Sequence, residues 1–150
     1  MAQSFSQVLV HGVFSTKDRT PWIDKEIESE LFAYLATVLK SGRHVPYIVG
    51  GHQDHVHLLI GLSRTETIAK MIENAKVASS KWMKTTGNGR EDFSWQRGYG
   101  AFGVSYSSRD IVMDYIANQE PHHSETSFQD EFRKLLEEHA IPYDEKYIWN

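Results

Sequence analysis

The sequence predicts a ferredoxin-like α/β (α+β) sandwich: an antiparallel sheet packed by helices, with a further helix appended at the C-terminal end. Three observations carry this expectation. The apolar pattern switches between period two and period 3.6 in the order strand, helix, two strands, helix, strand, then helices. The chain of 150 residues is long enough for one domain with an ordinary core. No internal repeat, low-complexity tract or linker divides it. The expected organisation is one domain over 1–150, with a core at about 5–123 and a helical extension at about 124–150.

Phe5 to Phe14 reads as the first strand, with Val8 and Val10 on one side and Leu9, His11 and Val13 on the other. Thr16 to Pro21 is a polar loop. Asp24 can cap a helix whose apolar stripe is Ile27, Leu31, Leu35, Val38 and Leu39, ended by Ser41 and Gly42. Val45 to Gly51 and His55 to Leu62 form a hairpin around a tight connection at Gly51 to Asp54. Thr65 or Thr67 opens a helix to about Lys84, with Ile68, Met71, Ile72, Ala75, Ala78 and Trp82 as its stripe. Lys70, Asn74, Lys81 and Lys84 lie opposite. A turn at Thr86 to Arg90 precedes a glycine-interrupted strand at about Gly98 to Val104. Ser108 caps a helix predicted from Arg109 to Gln119, with Pro121 just past its end. A last helix, about Ser127 to His139, buries Phe128, Phe132, Leu135 and Leu136, and the aromatic tail from Ile141 to Trp149 is expected to fold back on the body.

Composition narrows the classes. The chain has no cysteine, which excludes disulfides, thiolate zinc sites and a cysteine nucleophile. No apolar run approaches the roughly 20 residues of a membrane helix, and the first residues have neither a positive cluster nor a long apolar stretch. A cytoplasmic location without membrane association is expected. The net charge is −4, but it is unevenly spread. Residues 61–90 are net basic, with Arg64, Lys70, Lys76, Lys81, Lys84 and Arg90 against Glu66 and Glu73, whereas residues 120–147 are net acidic. That asymmetry suits a basic working surface and an acidic tail.

The motif richest in chemistry is His55-Val56-His57. On a strand the two imidazoles point the same way, while Val56, Leu58 and Ile60 point to the core. A side-by-side pair is a start on a divalent-metal site. Candidates for a third ligand are Asp54, His52, His11, His122, His123 and Gln119. Of these, Gln119 lies four residues after Tyr115 and so shares its helix face. Two histidines and one amide oxygen leave room for substrate oxygens on Mg²⁺ or Mn²⁺. A phenol near a bound cation can be activated as a nucleophile toward a phosphodiester. His11 and His52 are expected in structural or supporting roles, Asp54 as the group that orients a histidine, and His122 and His123 in local hydrogen bonds.

His55-Val56-His57 with Leu58-Leu59-Ile60, the run Trp95 to Ser105 containing Gly98-Tyr99-Gly100-Ala101-Phe102, and Tyr115-Ile116-Ala117-Asn118-Gln119 followed by His122 and His123 resemble the single-tyrosine HUH transposases of bacterial insertion sequences. The resemblance spans Val8 to about His123. The acidic end, with Phe128 to Phe132 and Tyr143 to Tyr147, is similar to the C-terminal part of stand-alone and REP-associated relatives. The resemblance implies an HUH-type fold and a transposase that nicks and rejoins single-stranded DNA beside hairpins through a 5′-phosphotyrosine intermediate. It also implies Tyr115 as nucleophile, and His55, His57 and Gln119 as ligands of Mg²⁺ or Mn²⁺. A homodimer, with active sites shared between subunits as one arrangement, is implied as well. The loop after the first strand places Lys17 and Arg19 among DNA contacts, and Lys70, Lys81 and Lys84 face phosphates if DNA is the substrate. Because the histidine face looks open, His57→Ala is expected to abolish cleavage with little effect on folding.

Two other phosphohydrolase classes fit poorly. A histidine triad needs a third alternating histidine where this chain has Leu59, and two-histidine phosphoesterases need a pair of H-x-[ST] motifs that are not found here. A domesticated relative that binds hairpin DNA without cutting it has the same sequence signature and stands as the alternative reading.

Overall fold

The computed structural model describes residues 2–86 and 89–150. Four strands form one antiparallel sheet: β1 (Leu9–Ser15), β2 (Val45–His52), β3 (His55–Gly61) and β4 (Gly100–Val104), in the order β2-β3-β1-β4. Among the described residues five α-helices accompany it: α1 (Glu28–Ser41), α2 (Ile68–Thr86), α3 (Arg109–Ala117), α4 (Gln119–His123) and α5 (Phe128–Glu138). The expected ferredoxin-like α+β architecture is the observed one.

Alternation along β1 and β3 divides the core in two. Val10, Phe14, Val56, Leu58 and Ile60 point to one face, where Leu31, Leu35 and Leu39 of α1 and Met71, Ile72, Ala75 and Met83 of α2 cover them. Leu9, Leu59 and Ile116 pack on the other face beside α3, and Val13 and Phe102 pack there against Phe128, Leu135 and Leu136 of α5. Ile148 and Trp149 of the tail join this second group, so the tail does fold back. Two glycines let the site helices approach closely. A Cβ at Gly50 would lie 2.9 Å from Ile116 Cγ2, and one at Gly100 would lie 2.6 Å from Phe132 Cε1.

Local chemistry sets the helix boundaries. The Asp24 carboxylate accepts from the amides of Glu26 and Ile27 at 3.0 and 3.1 Å, a turn ahead of the regular helix. Thr67 Oγ1 accepts from Lys70 N at 3.0 Å and Ser127 Oγ from Asp130 N at 3.1 Å, both N-terminal caps.

Several sequence expectations need correction. The first strand begins at Leu9, not Phe5, and the fourth at Gly100, not Gly98. The α2 stripe is rotated: Ser79 and Met83 are buried, whereas Trp82 is half-buried and stacks on Tyr34 at 5.2 Å. The helix predicted from Arg109 to Gln119 breaks at Asn118, and Pro121 lies inside α4 rather than beyond a helix end. Proline is tolerated there because it falls in the first turn, where its missing N–H has no helical partner. Ser108 makes no side-chain cap. The turn expected at 86–90 falls partly outside the described residues.

The candidate metal and tyrosine site

The site is built on the second face of the sheet. In the hairpin His52 pairs with His55, and the two-residue turn between them is pinned by Ile23 N donating to Gln53 O and Thr16 N donating to Asp54 O, each at 2.9 Å. This holds the Asp54 carboxylate 2.8 Å from His55 Nδ1. Because a carboxylate only accepts, His55 carries its proton on Nδ1 there. His57 Nδ1 lies 2.8 Å from His11 Nε2 across the sheet. Both ring pairs leave the Nε2 atoms of His55 and His57 directed away from the strands.

The face is not open. Both histidines are fully buried, because α3, α4 and α5 cover them. The expectation that His57→Ala would leave folding almost untouched is therefore withdrawn: removing a buried imidazole leaves a cavity and strips His11 of its partner.

α3 and α4 bring Tyr115 and Gln119 to the pair. Although they sit on two helices and not one, Gln119 Oε1 comes to 2.8 Å from His55 Nε2, and the Tyr115 ring lies edge-on to His57 with centroids 5.6 Å apart.

Glu131, on α5, was not singled out in the sequence. It is buried, and it lies at the middle of the group. Its Oε1 is 3.1 Å from His57 Nε2, 3.3 Å from His55 Nε2 and 2.9 Å from His123 Nε2. Its Oε2 accepts from Gln119 Nε2 at 3.0 Å and from the Tyr115 hydroxyl. His122 Nε2, buried and without a hydrogen-bond partner, lies 3.4 Å from the same oxygen. One signal was available in the sequence. Phe128, Glu131 and Leu135 follow helical spacing, so a carboxylate stands on an apolar stripe where burial needs a reason.

Electrostatics follow from this packing. Burial works against charge on His55, but Asp54 and Glu131 outweigh it and raise its pKa to about 9. Burial dominates at His57, whose pKa falls to about 4, and at His11, where it falls to about 3 with help from His57. Burial would raise Glu131, yet His123, His55 and His57 hold its carboxyl well below the usual range. Burial and then the Glu131 anion push the Tyr115 phenol up.

The donor set fits a divalent cation. His55, His57 and Glu131 offer ligand atoms that all lie within 4.8 Å of one another. Atoms bound to one ion at about 2.0–2.2 Å stand roughly 3 Å apart, and Glu131 Oε1 lies 3.3 and 3.1 Å from Nε2 of His55 and His57. Glu131 thus adds a carboxylate to the two histidines and the amide that the sequence brought forward.

The remaining candidate residues lie elsewhere. His52 stacks on His123 at 5.5 Å. Lys17 is exposed, and Arg19 donates to Gln96 Oε1 at 2.8 Å and lies over the Trp149 ring. Lys70 is paired with Glu73 at 3.7 Å. Lys81 and Lys84 line a groove of about 530 Å³ with Lys76, Trp95 and Arg97. Lys76 is partly committed, donating to Gln96 O at 2.8 Å, and burial lowers its pKa to about 8. Among the described residues no helix is long and apolar enough to cross a membrane.

The protein is thus a four-stranded antiparallel α+β sandwich with a buried histidine–carboxylate cluster beside a tyrosine. The model of the family "Transposase IS200 like" matches residues 4–119, and the chain belongs to that family. The fold is similar to that of a candidate transposase from Deinococcus radiodurans R1, with a TM-score of 0.59, 22% identity, and coverage of 79% of this chain and 98% of that one. It is also similar to a REP-associated tyrosine transposase bound to a REP hairpin, with a TM-score of 0.59, 9% identity, and coverage of 82% and 73%. No curated protein matches the chain.

Proposed function

We propose that this transposase is a metal-dependent single-strand DNA endonuclease and strand transferase that cuts and rejoins DNA near hairpins through a 5′-phosphotyrosine link. The observation that carries the reading is the convergence of the Tyr115 ring and the Gln119 amide on the His55–His57 pair, with the Tyr115 hydroxyl on Glu131 beside them. His55, His57 and Gln119 are the residues assigned to hold Mg²⁺ or Mn²⁺. Such an ion would supply Lewis-acid polarisation of a phosphodiester oxygen and favour the ionised phenol. The Tyr115 oxygen attacks phosphorus, the bond to the 3′ oxygen breaks, and the leaving oxygen takes a proton to become a 3′-OH. The phosphotyrosine conserves the bond for religation by the reverse attack. Asp54 and His11 keep their imidazoles oriented throughout.

The substrate reading is supported by the family and by the hairpin bound to the REP-associated neighbour. Lys81, Lys84 and Arg97 around Trp95 offer cations and an aromatic face of the kind that holds single strands. We further propose one domain over 1–150, a cytoplasmic location and a homodimeric assembly. The Tyr115 ring lies 5.6 Å from the His57 ring of its own chain.

The test uses labelled single strands bearing hairpins, with Mn²⁺. Wild type is expected to yield a covalent protein–DNA band that Tyr115→Phe lacks while still binding the strand. An adduct that persists in Tyr115→Phe would reject the assignment. Tight binding by wild type with no adduct under Mn²⁺ or Mg²⁺ would favour a hairpin-binding module instead.

A further inference from the structure

The C-terminal helices are more than a cover for the histidine face. His123 donates its Nδ1 proton to Thr126 O at 2.6 Å, as His55 does to Asp54, which leaves Nε2 as a lone pair in the neutral ring. His57 Nδ1 and His11 Nε2 lie 2.8 Å apart and share one proton; with that proton on His57, its Nε2 is a lone pair as well. Three such nitrogens, from His55, His57 and His123, therefore aim at one carboxylate oxygen, Glu131 Oε1, at 3.3, 3.1 and 2.9 Å. The Gln119 carbonyl oxygen, another acceptor, stands 2.8 Å from His55 Nε2. A buried cluster of acceptors pointing at one another is strongly unfavourable unless a cation lies among them. In the metal-free protein a proton on His55 Nε2 relieves part of this, donating to the Gln119 oxygen at 2.8 Å beside Glu131 Oε1 at 3.3 Å, and the nitrogens of His57 and His123 remain to be satisfied. A divalent ion satisfies several of them together: His55, His57 and Glu131 offer ligand atoms within 4.8 Å of one another, and Glu131 shares a second such group with His122 and His123.

We propose that Glu131 of α5 and His123 of α4 are ligands of the same divalent ion that His55, His57 and Gln119 hold, so that the C-terminal helices are part of the metal centre. The inference rests on the metal reading above and extends it. Three imidazoles, an amide oxygen and a carboxylate form a nitrogen-rich set suited to a first-row transition ion. Metal binding and the docking of α5 then become one equilibrium. Asp54, His11 and the Thr126 carbonyl are the outer partners that fix the tautomers of His55, His57 and His123.

The test measures Mn²⁺ binding, without DNA, by titration calorimetry and electron spin-echo spectroscopy on wild type, Glu131→Gln, His123→Ala and His57→Ala. Glu131→Gln and His123→Ala are each expected to weaken Mn²⁺ binding by at least about tenfold. The spin-echo signal is expected to report three coordinated imidazoles in wild type and two in His123→Ala. Mn²⁺ should slow amide exchange over residues 128–138 in wild type and not in Glu131→Gln. Unchanged affinity in a folded Glu131→Gln, or only two imidazoles in wild type, overturns the proposal. If Glu131→Gln fails to fold, Glu131→Asp takes its place, and the imidazole count in wild type needs no variant at all. Wild type that binds no Mn²⁺ rejects the metal reading itself. Binding lost in His57→Ala but intact in Glu131→Gln and His123→Ala rejects this extension alone.

Discussion

On one face of the sheet, Val10, Phe14, Val56, Leu58 and Ile60 meet α1 and α2 in a largely apolar layer. On the other, His11, His55 and His57 rise from the same two strands to meet Tyr115, Gln119, His123 and Glu131. Both layers bury their central side chains, with Tyr115 and His123 of the second left partly exposed, yet they hold together by different physics. The first gains by removing apolar surface from water, a non-directional effect that tolerates small shifts. The second is directional. Each buried polar atom needs a partner of the right kind, so its stability depends on protons and metal as well as on packing. A strand with period two can serve both layers at once, and this lets a rigid apolar layer position reactive groups.

The comparison can be tested at three levels. The largest effect is expected from the apolar layer. Leu58→Ala should cost about 2–5 kcal/mol of unfolding free energy in urea, while the folded fraction keeps its Mn²⁺ affinity. A loss of affinity without a loss of stability would show that the two layers are not separable. His57→Ala should do the reverse, abolishing metal binding at a smaller cost in stability.

Next in size is pH, which should act on the polar layer of metal-free protein. His57 and His11 have folded pKa values of about 4 and about 3, below the ordinary 6.5. The unfolded chain therefore takes up protons first as pH falls. Their contribution is present above pH 6.5 and is lost as pH drops toward 4 and 3, each imidazole removing up to about 1.4 kcal/mol per pH unit. His55, raised to about 9, has the opposite sign: its contribution is present below pH 6.5 and is lost as pH rises through about 9. Melting curves in chelator should therefore show a maximum between these limits. A melting temperature that stays flat from pH 6.5 to 4 would contradict the burial assigned to His11 and His57.

The smallest effect concerns neither layer. Replacing Lys81 and Lys84 with alanine should leave stability within about 0.5 kcal/mol. It should weaken single-strand binding and reduce the salt slope by about 1.4, two phosphate contacts' worth. An unchanged slope would move the DNA surface away from the groove beside Trp95.

Local rules determined much of this protein before any contact was known. Period-two alternation announced β1 and β3, including which of their residues would face apart. Helical spacing announced α1, α2 and α5, and His55, His57, Tyr115 and Gln119 were each visible as members of motifs. These features are legible because they depend on neighbours only a few residues away in the chain. What the tertiary structure alone decided was the company these residues keep. The break at Asn118, the closure of the histidine face and the arrival of Glu131 from 74 positions beyond His57 arise from helices docking on a sheet. No local pattern encodes which helix covers which face. A carboxylate on an apolar stripe signals only that something must meet it, and packing decides that it is a ring of imidazoles and a phenol.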